Sequence, residues 1–327
     1  MKKLVFVSIL LALVVIILGA YTRLTDAGLG CPDWPGCYGQ LLVPQSESLV
    51  DNANQAYPER PVEAEKAWNE MIHRYFAAAL GFFILLIFII AVLRKLRHKS
   101  GPLKLPFLLL VLVCFQGALG MWTVTLNLLP IVVMGHLLGG FSVLSGLFLL
   151  YIRMHNFRIP GGDPRIRRFA KFGVIGIVLL VGQIALGGWT SANYASYACT
   201  ELPICEDSWA GKLDLAGAFS IPEAGNYEGG VHSPDERVTM HVMHRLGAII
   251  VFFYLCWLAI VLFMRASSDI VKRMAVLLVL VLAVQIGLGI SNVVYALPLI
   301  VATMHNAVAA CLLLVMVLLT YTMYRKY

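Results

Sequence analysis

Charge is what this 327-residue chain has least of. Asp, Glu, Lys and Arg make up 13% of it, against 60% hydrophobic residues. Soluble domains average about 25% charged and about 45–50% apolar, which excludes the two soluble domains that length alone would allow. The first apolar run lacks the small-x-small cleavage pattern of a secretory signal, because it reaches Ala20 and Leu18 interrupts the small residues. We read it as a retained helix. The outer cysteines have neither zinc-ribbon nor thioredoxin-type Cys-x-x-Cys spacing. Nor does the net charge of +7 call for nucleic acid, because its distribution reads as a topology signal.

The chain instead has apolar runs of membrane-spanning length. Eight spans are predicted, at 4–22, 71–93, 105–126, 131–152, 169–190, 238–264, 271–292 and 298–323. Each must be a helix, since backbone groups in lipid need internal partners. With the N-terminus inside, 18 of the 25 Lys and Arg fall on the inner side, among them Arg94, Lys95, Arg97, Arg165, Arg167, Arg168 and Lys171. The fold class is thus an all-α membrane protein with eight transmembrane helices, N-in and C-in.

The sequence also repeats. Glu70-Met-Ile-His73-Arg74 corresponds to His241-Val-Met-His244-Arg245, and each is followed by a second histidine within an apolar run, His136 and His305. The separations are 136 − 73 = 63 and 305 − 244 = 61. Gly19-Ala-Tyr-Thr22 and Gly187-Gly-Trp-Thr190 close spans 1 and 5, and a cysteine pair begins nine residues after each Thr: Cys31 and Cys37, Cys199 and Cys205. Gln116-Gly-Ala-Leu-Gly120 and Gln285-Ile-Gly-Leu-Gly289 occupy spans 3 and 7. Four spans per half give two pseudo-symmetric four-helix bundles, residues 1–160 and 161–327, linked around residues 160–164. The outer loops 23–70 and 191–237 read as covers with little regular pattern and poor prospects for a core of their own.

Ionisable groups inside spans are costly and usually functional. His73, His136, His244 and His305 therefore stand apart from His98, His155 and His232, which are predicted to be solvated. All four lie in the outer part of the membrane, with His136 and His305 about 9–11 Å from the outer helix ends at 1.5 Å per residue. One pair of neutral imidazoles per half suits a haem iron and lacks the further ligands of a closed zinc site. Arg74 and Arg245 are candidates for haem propionates, or for lipid phosphates at the interface. Glu70 stands three residues before His73 and shares its helix face. It is either a proton-handling carboxylate or a charge near the helix start. In the second half that position is His241, which competes with His244 as a ligand. We infer that the first half performs chemistry and the second holds a haem for electron transfer or structure. Cys114, Cys256 and Cys311 read as core fillers. For the outer cysteines, local bridges Cys31–Cys37 and Cys199–Cys205 are the simplest of three connectivities, with structural and redox roles both open.

Taken together, Thr22-Arg23-Leu-Thr25-Asp-Ala-Gly28-Leu-Gly30-Cys31-Pro-Asp-Trp-Pro-Gly-Cys37, Glu70-x-x-His73-Arg74, Gln116-Gly-Ala-Leu-Gly120, His244-Arg245 and His305-Asn306 resemble the haem A synthase family over essentially all eight spans. The resemblance implies an enzyme of the bacterial cytoplasmic (inner) membrane, with its haem sites toward the outer face. It implies oxidation of the C8 methyl of haem O to a formyl group, giving haem A for terminal oxidase. His73 and His136 would flank the substrate haem O beside Glu70, and His244 and His305 would ligate a haem b cofactor. Haem O synthase, oxidase assembly factors and an electron carrier are the implied partners, and a homo-oligomer is compatible with it. A methyl C–H is a poor acid, so a redox cofactor must carry the hard step. The rival readings are a diheme cytochrome exchanging electrons with quinol, a haem transporter and a membrane thiol oxidase.

Overall fold

The computed structural model describes residues 1–98, 101–159, 162–203, 205 and 209–325, with residues 98 and 212 as backbone only. The side chain of His98 and the linker residues 160–161 therefore lie outside the described residues. The described residues are helical, without a strand. In chain order the helices are α1 (Lys2–Leu24), α2 (Glu47–Ala56), α3 (Ala64–His98), α4 (Lys104–Thr125), α5 (Pro130–Met154), α6 (Pro164–Arg167), α7 (Ala170–Ala192), α8 (Leu215–Ala218), α9 (Pro234–Arg265), α10 (Asp269–Val294) and α11 (Leu299–Tyr324). Eight of these (α1, α3, α4, α5, α7, α9, α10 and α11) are long and apolar enough to cross a membrane.

Two helices start earlier than hydropathy predicts, each for a local reason. In α3 the segment Ala64-Glu65-Lys66-Ala67 consists of strong helix formers, with Glu65 in the first turn. In α9 a capping box sets the start: the Ser233 hydroxyl accepts from the Glu236 N–H while the Glu236 carboxylate accepts from the Ser233 N–H, and Pro234 follows the cap.

The backbone divides into two compact units, residues 1–147 with 221–231, and residues 148–220 with 232–327. In the first unit α1 packs on α3 and α3 on α4. Leu109 of α4 meets Gly146 of α5, and Ile16 of α1 lies against Gly140 of α5. In the second unit α7 packs on α9, α9 on α10, α10 on α11, and α11 on α7.

The first outer loop departs from expectation. It forms helix α2, and Cys31, Cys37, Tyr38, Val43 and Ala53 build a buried cluster with Ala67 and Met71 of α3. The loop has a core because it borrows one face of a membrane helix. Within this cluster the Tyr38 hydroxyl donates to Pro61 O at 3.2 Å, and burial pushes its phenol above the ordinary value, keeping it a donor.

Residues 221–231, from the second long outer loop, join the first unit. Tyr227 packs with Leu29, Val124 and Leu128. Its N–H donates to Asn127 O at 3.0 Å, and the Asn127 side-chain amide donates to Gly225 O at 2.9 Å.

His232 corrects the solvated reading. Its side chain is 0% exposed and its Nδ1 lies 2.7 Å from Glu236 Oε2. The residue immediately precedes the cap of α9, so its ring folds back over the first turn onto a carboxylate four residues on. His155 is exposed as predicted.

Candidate functional site

In the first unit His73 of α3 and His136 of α5 face one another, with ring centres 6.3 Å apart at an interplanar angle of 78°. Glycines on the neighbouring helices make room. A Cβ at Gly19 of α1 would stand 2.9 Å from His73 Cε1, and one at Gly120 of α4 would stand 3.3 Å from His136 Cε1. Both glycines belong to the repeated motifs of spans 1 and 3, so their recurrence has a packing cause. In each ring Nδ1 is buried without a partner. The Gln116 amide also donates to His136 O at 2.7 Å.

That geometry meets a metal's requirements. An imidazole nitrogen binds a transition metal at about 2 Å with its ring centre about 1.1 Å further back, so two axial rings place their centres about 6.2 Å apart. A buried nitrogen left unpartnered is otherwise costly. The first pair fits a haem iron.

In the second unit His244 of α9 meets Gly187 of α7, and His305 of α11 meets Gly289 of α10, with the virtual Cβ 2.9 Å and 3.2 Å from the respective Cε1 atoms. Here glutamines touch the rings: Gln183 Nε2 is 3.0 Å from His244 Nδ1, and Gln285 Nε2 is 3.2 Å from His305 Nε2. Gln183 Nε2 also donates to His244 O at 2.9 Å, so the donor end of the amide meets both the ring and the backbone of His244. Two buried imidazoles backed by glycines and oriented by amides form a donor set that fits an axially ligated iron. His241 is buried as well, and its Nδ1 lies 3.1 Å from Ala195 O. That carbonyl fixes Nδ1 as the donor and leaves Nε2 as the free nitrogen.

Glu70 is 4% exposed. Its Oε2 accepts the Cys31 N–H at 2.9 Å and its Oε1 accepts from Arg74 at 2.5 Å. It lies in the second turn of α3, well past the helix start, so end-capping does not account for it. Arg74 also donates to Asp33 O at 3.0 Å and to Gly36 O at 2.5 Å. Arg245 holds the corresponding loop of its own unit, donating to Glu201 O at 2.8 Å and Cys199 O at 3.1 Å. Both arginines named above as propionate candidates thus engage backbone carbonyls of the cysteine loops. Cys31 is bonded to Cys37 with a Cα–Cα distance of 4.8 Å, and Cys199 to Cys205 with 5.0 Å. Gly30 lets the first loop lie on α3, because a Cβ there would meet Lys66 backbone atoms at 2.6 Å.

Four side chains of these sites escape sequence reasoning. Gln183 had a signal: it stands four residues before Gly187, where the first half has Val15 four before Gly19. Asn127, Arg60 and Tyr227 had none, since they meet only through the fold. Arg60 donates to Asn127 Oδ1 and to Leu29 O, each at 3.3 Å.

Comparison with known proteins identifies the family. Residues 2–317 match the COX15-CtaA family model, described as cytochrome oxidase assembly protein. A protein named "Heme A synthase" from Shewanella oneidensis is 48% identical over 323 residues, covering 98% of this chain and 96% of that protein. Proteins of the same name from Rickettsia prowazekii and Mesorhizobium japonicum are 28% and 27% identical, covering 95% and 94% of this chain and 94% and 86% of their own lengths. The chain belongs to the COX15-CtaA family of cytochrome oxidase assembly proteins.

Proposed function

We propose that this chain is an oxidoreductase of the inner membrane that converts haem O to haem A by oxidising the C8 methyl to a formyl group. The observation that carries the proposal is the 6.3 Å separation of His73 and His136, each with a buried unpartnered Nδ1, in a chain 48% identical to a "Heme A synthase". The repeated sequence, with one histidine pair and one cysteine loop per half, supports two pseudo-symmetric four-helix bundles, residues 1–160 and 161–327. The basic inner loops support N-in and C-in, which puts both histidine pairs toward the outer face.

His73 and His136 hold the substrate from its two faces, which fixes the porphyrin in plane and leaves its edge methyl to be presented to the pocket wall. Net of the oxidant, methyl to formyl removes four electrons and four protons and adds the oxygen of one water. Successive hydroxylation reaches a geminal diol, which loses water to give the aldehyde. Glu70 is the buried carboxylate on the same helix face, and it accepts and passes on the protons released. Arg74 and the Cys31 N–H keep it in place.

His244 and His305 would hold haem b, with Gln183 and Gln285 beside their rings. When bound, haem b supplies one-electron redox chemistry. Arg74 and Arg245 serve the sites by holding the cysteine loops, and a propionate reaching either guanidinium shares it with loop carbonyls. Haem O synthase and the terminal oxidase assembly machinery are the partners this reaction requires before and after it.

Expressing the chain in cells that make haem O and extracting their porphyrins tests the assignment. Haem A should accumulate with the intact chain and be absent with Glu70→Ala that still binds haem. Haem O left unconverted by the intact chain would make it a carrier instead.

A further inference from the structure

At the end of α9 remote from His244 a cavity of about 510 Å³ is lined by Pro164, Arg165, Arg168, Met264 and Arg265. Its size falls within the about 300–1,000 Å³ usual for small-ligand pockets. Three arginines line it, from two stretches of chain about a hundred residues apart. Asp163, the carboxylate next to them in sequence, is buried and accepts the N–H groups of Ser267 at 2.7 Å and Ser268 at 3.0 Å. It ties the start of α6 to the segment after α9 and brings the arginines together. Among the described residues no carboxylate pairs with Arg165, Arg168 or Arg265. The Arg168 guanidinium lies 4.9 Å over the Phe169 ring, which orients its planar face. Like charges gathered around one cavity repel unless an anion is held between them. Guanidinium matches phosphate oxygens in pairs. The apolar side chains beside the cavity, Met264 at 74% and Phe263 at 49% exposed, offer a surface suited to acyl chains.

We propose that this cavity holds the phosphate of an anionic phospholipid, its acyl chains running along the Phe263 and Met264 side of α9. The site is independent of the haem assignments.

The test compares retention of phosphatidylglycerol and phosphatidylcholine by the purified, haem-loaded chain, read by native mass spectrometry in neutral detergent. Phosphatidylglycerol should be preferred, and each Arg→Gln exchange among Arg165, Arg168 and Arg265 should weaken its retention about fivefold. Arg94→Gln with Arg97→Gln, which removes basic charge elsewhere, should leave the preference intact, and millimolar inorganic phosphate should not displace the lipid. Unchanged gel filtration and haem absorbance show that the variants fold, and Arg265→Gln alone decides if the other two do not. Equal retention of the two lipids, equal loss in the Arg94/Arg97 control, or displacement by inorganic phosphate would each overturn the proposal. The first two would leave only a topology signal, and the third a site for free phosphate.

Discussion

The carboxylate of Glu70 accepts the backbone N–H of Cys31 at 2.9 Å, so the buried acid three residues before His73 is anchored to the disulfide loop. Arg74 grips that carboxylate and the loop carbonyls together. Loop, acid and arginine therefore act as one unit. Glu70→Gln should lower haem A formation by about 10²-fold or more while both histidine pairs still bind haem, as measured by porphyrin extraction beside the absorption spectrum. Glu70→Ala also leaves the Cys31 N–H and the Arg74 guanidinium short of an acceptor, at a cost of about 1–3 kcal/mol. A lower thermal midpoint should separate it from the Gln variant.

The glycines facing the histidines give a second test. Gly19→Ala places a methyl 2.9 Å from His73 Cε1, and Gly187→Ala does the same to His244. Each ring must move by several tenths of an ångström. Gly19→Ala should weaken substrate haem binding and leave the other haem's spectrum unchanged, and Gly187→Ala should do the reverse. A displacement approaching 1 Å can cost about 10²-fold in rate. Optical titration with haem of each variant reads the difference.

Gln183 supports His244 in a way the first half does not copy, because Val15 stands at the corresponding place. Gln183→Val removes the amide contact at 3.0 Å without adding charge. The expected result is a shifted reduction potential and about 10–100-fold weaker retention of haem b, measured by redox titration and by haem loss to apomyoglobin. Haem at the first pair should be unaffected.

Much of this was legible in the sequence. The eight spans follow from composition and run length, and the histidine, glycine and cysteine repeats from alignment of one half with the other. The glycines were visible as a pattern, and only the structure shows them to be histidine clearances. What stayed hidden depends on contacts between segments distant in sequence. Hydropathy does not report the polar helix formers that begin α3, nor that Arg74 would turn to loop carbonyls. His232 reads as a loop residue until the capping box at Ser233 and Glu236 folds the chain back over it. The covering segment 221–231 depends on Asn127, whose backbone adopts φ 47° in the turn after α4 and presents both its carbonyl and its amide outward.

That last contact yields its own test. The residue matching Asn127 in the second half is Ala296, which has a similar backbone at φ 51° and no amide. Asn127→Ala should loosen residues 221–231, costing about 1 kcal/mol for each side-chain hydrogen bond lost and raising amide exchange in that segment, while the Tyr227 N–H bond to the backbone carbonyl of residue 127 remains. Ala296→Asn should change neither. Hydrogen-exchange mass spectrometry resolves the two.

The claim that the two histidine pairs hold different porphyrins, one consumed and one kept, is tested most directly by the haem extracted from purified His73→Ala and His244→Ala variants. Haem b should persist in His73→Ala, with haem O and haem A lost from it. In His244→Ala haem b should be lost. Haem b disappearing with His73 and persisting without His244 would contradict the account and exchange the roles of the halves.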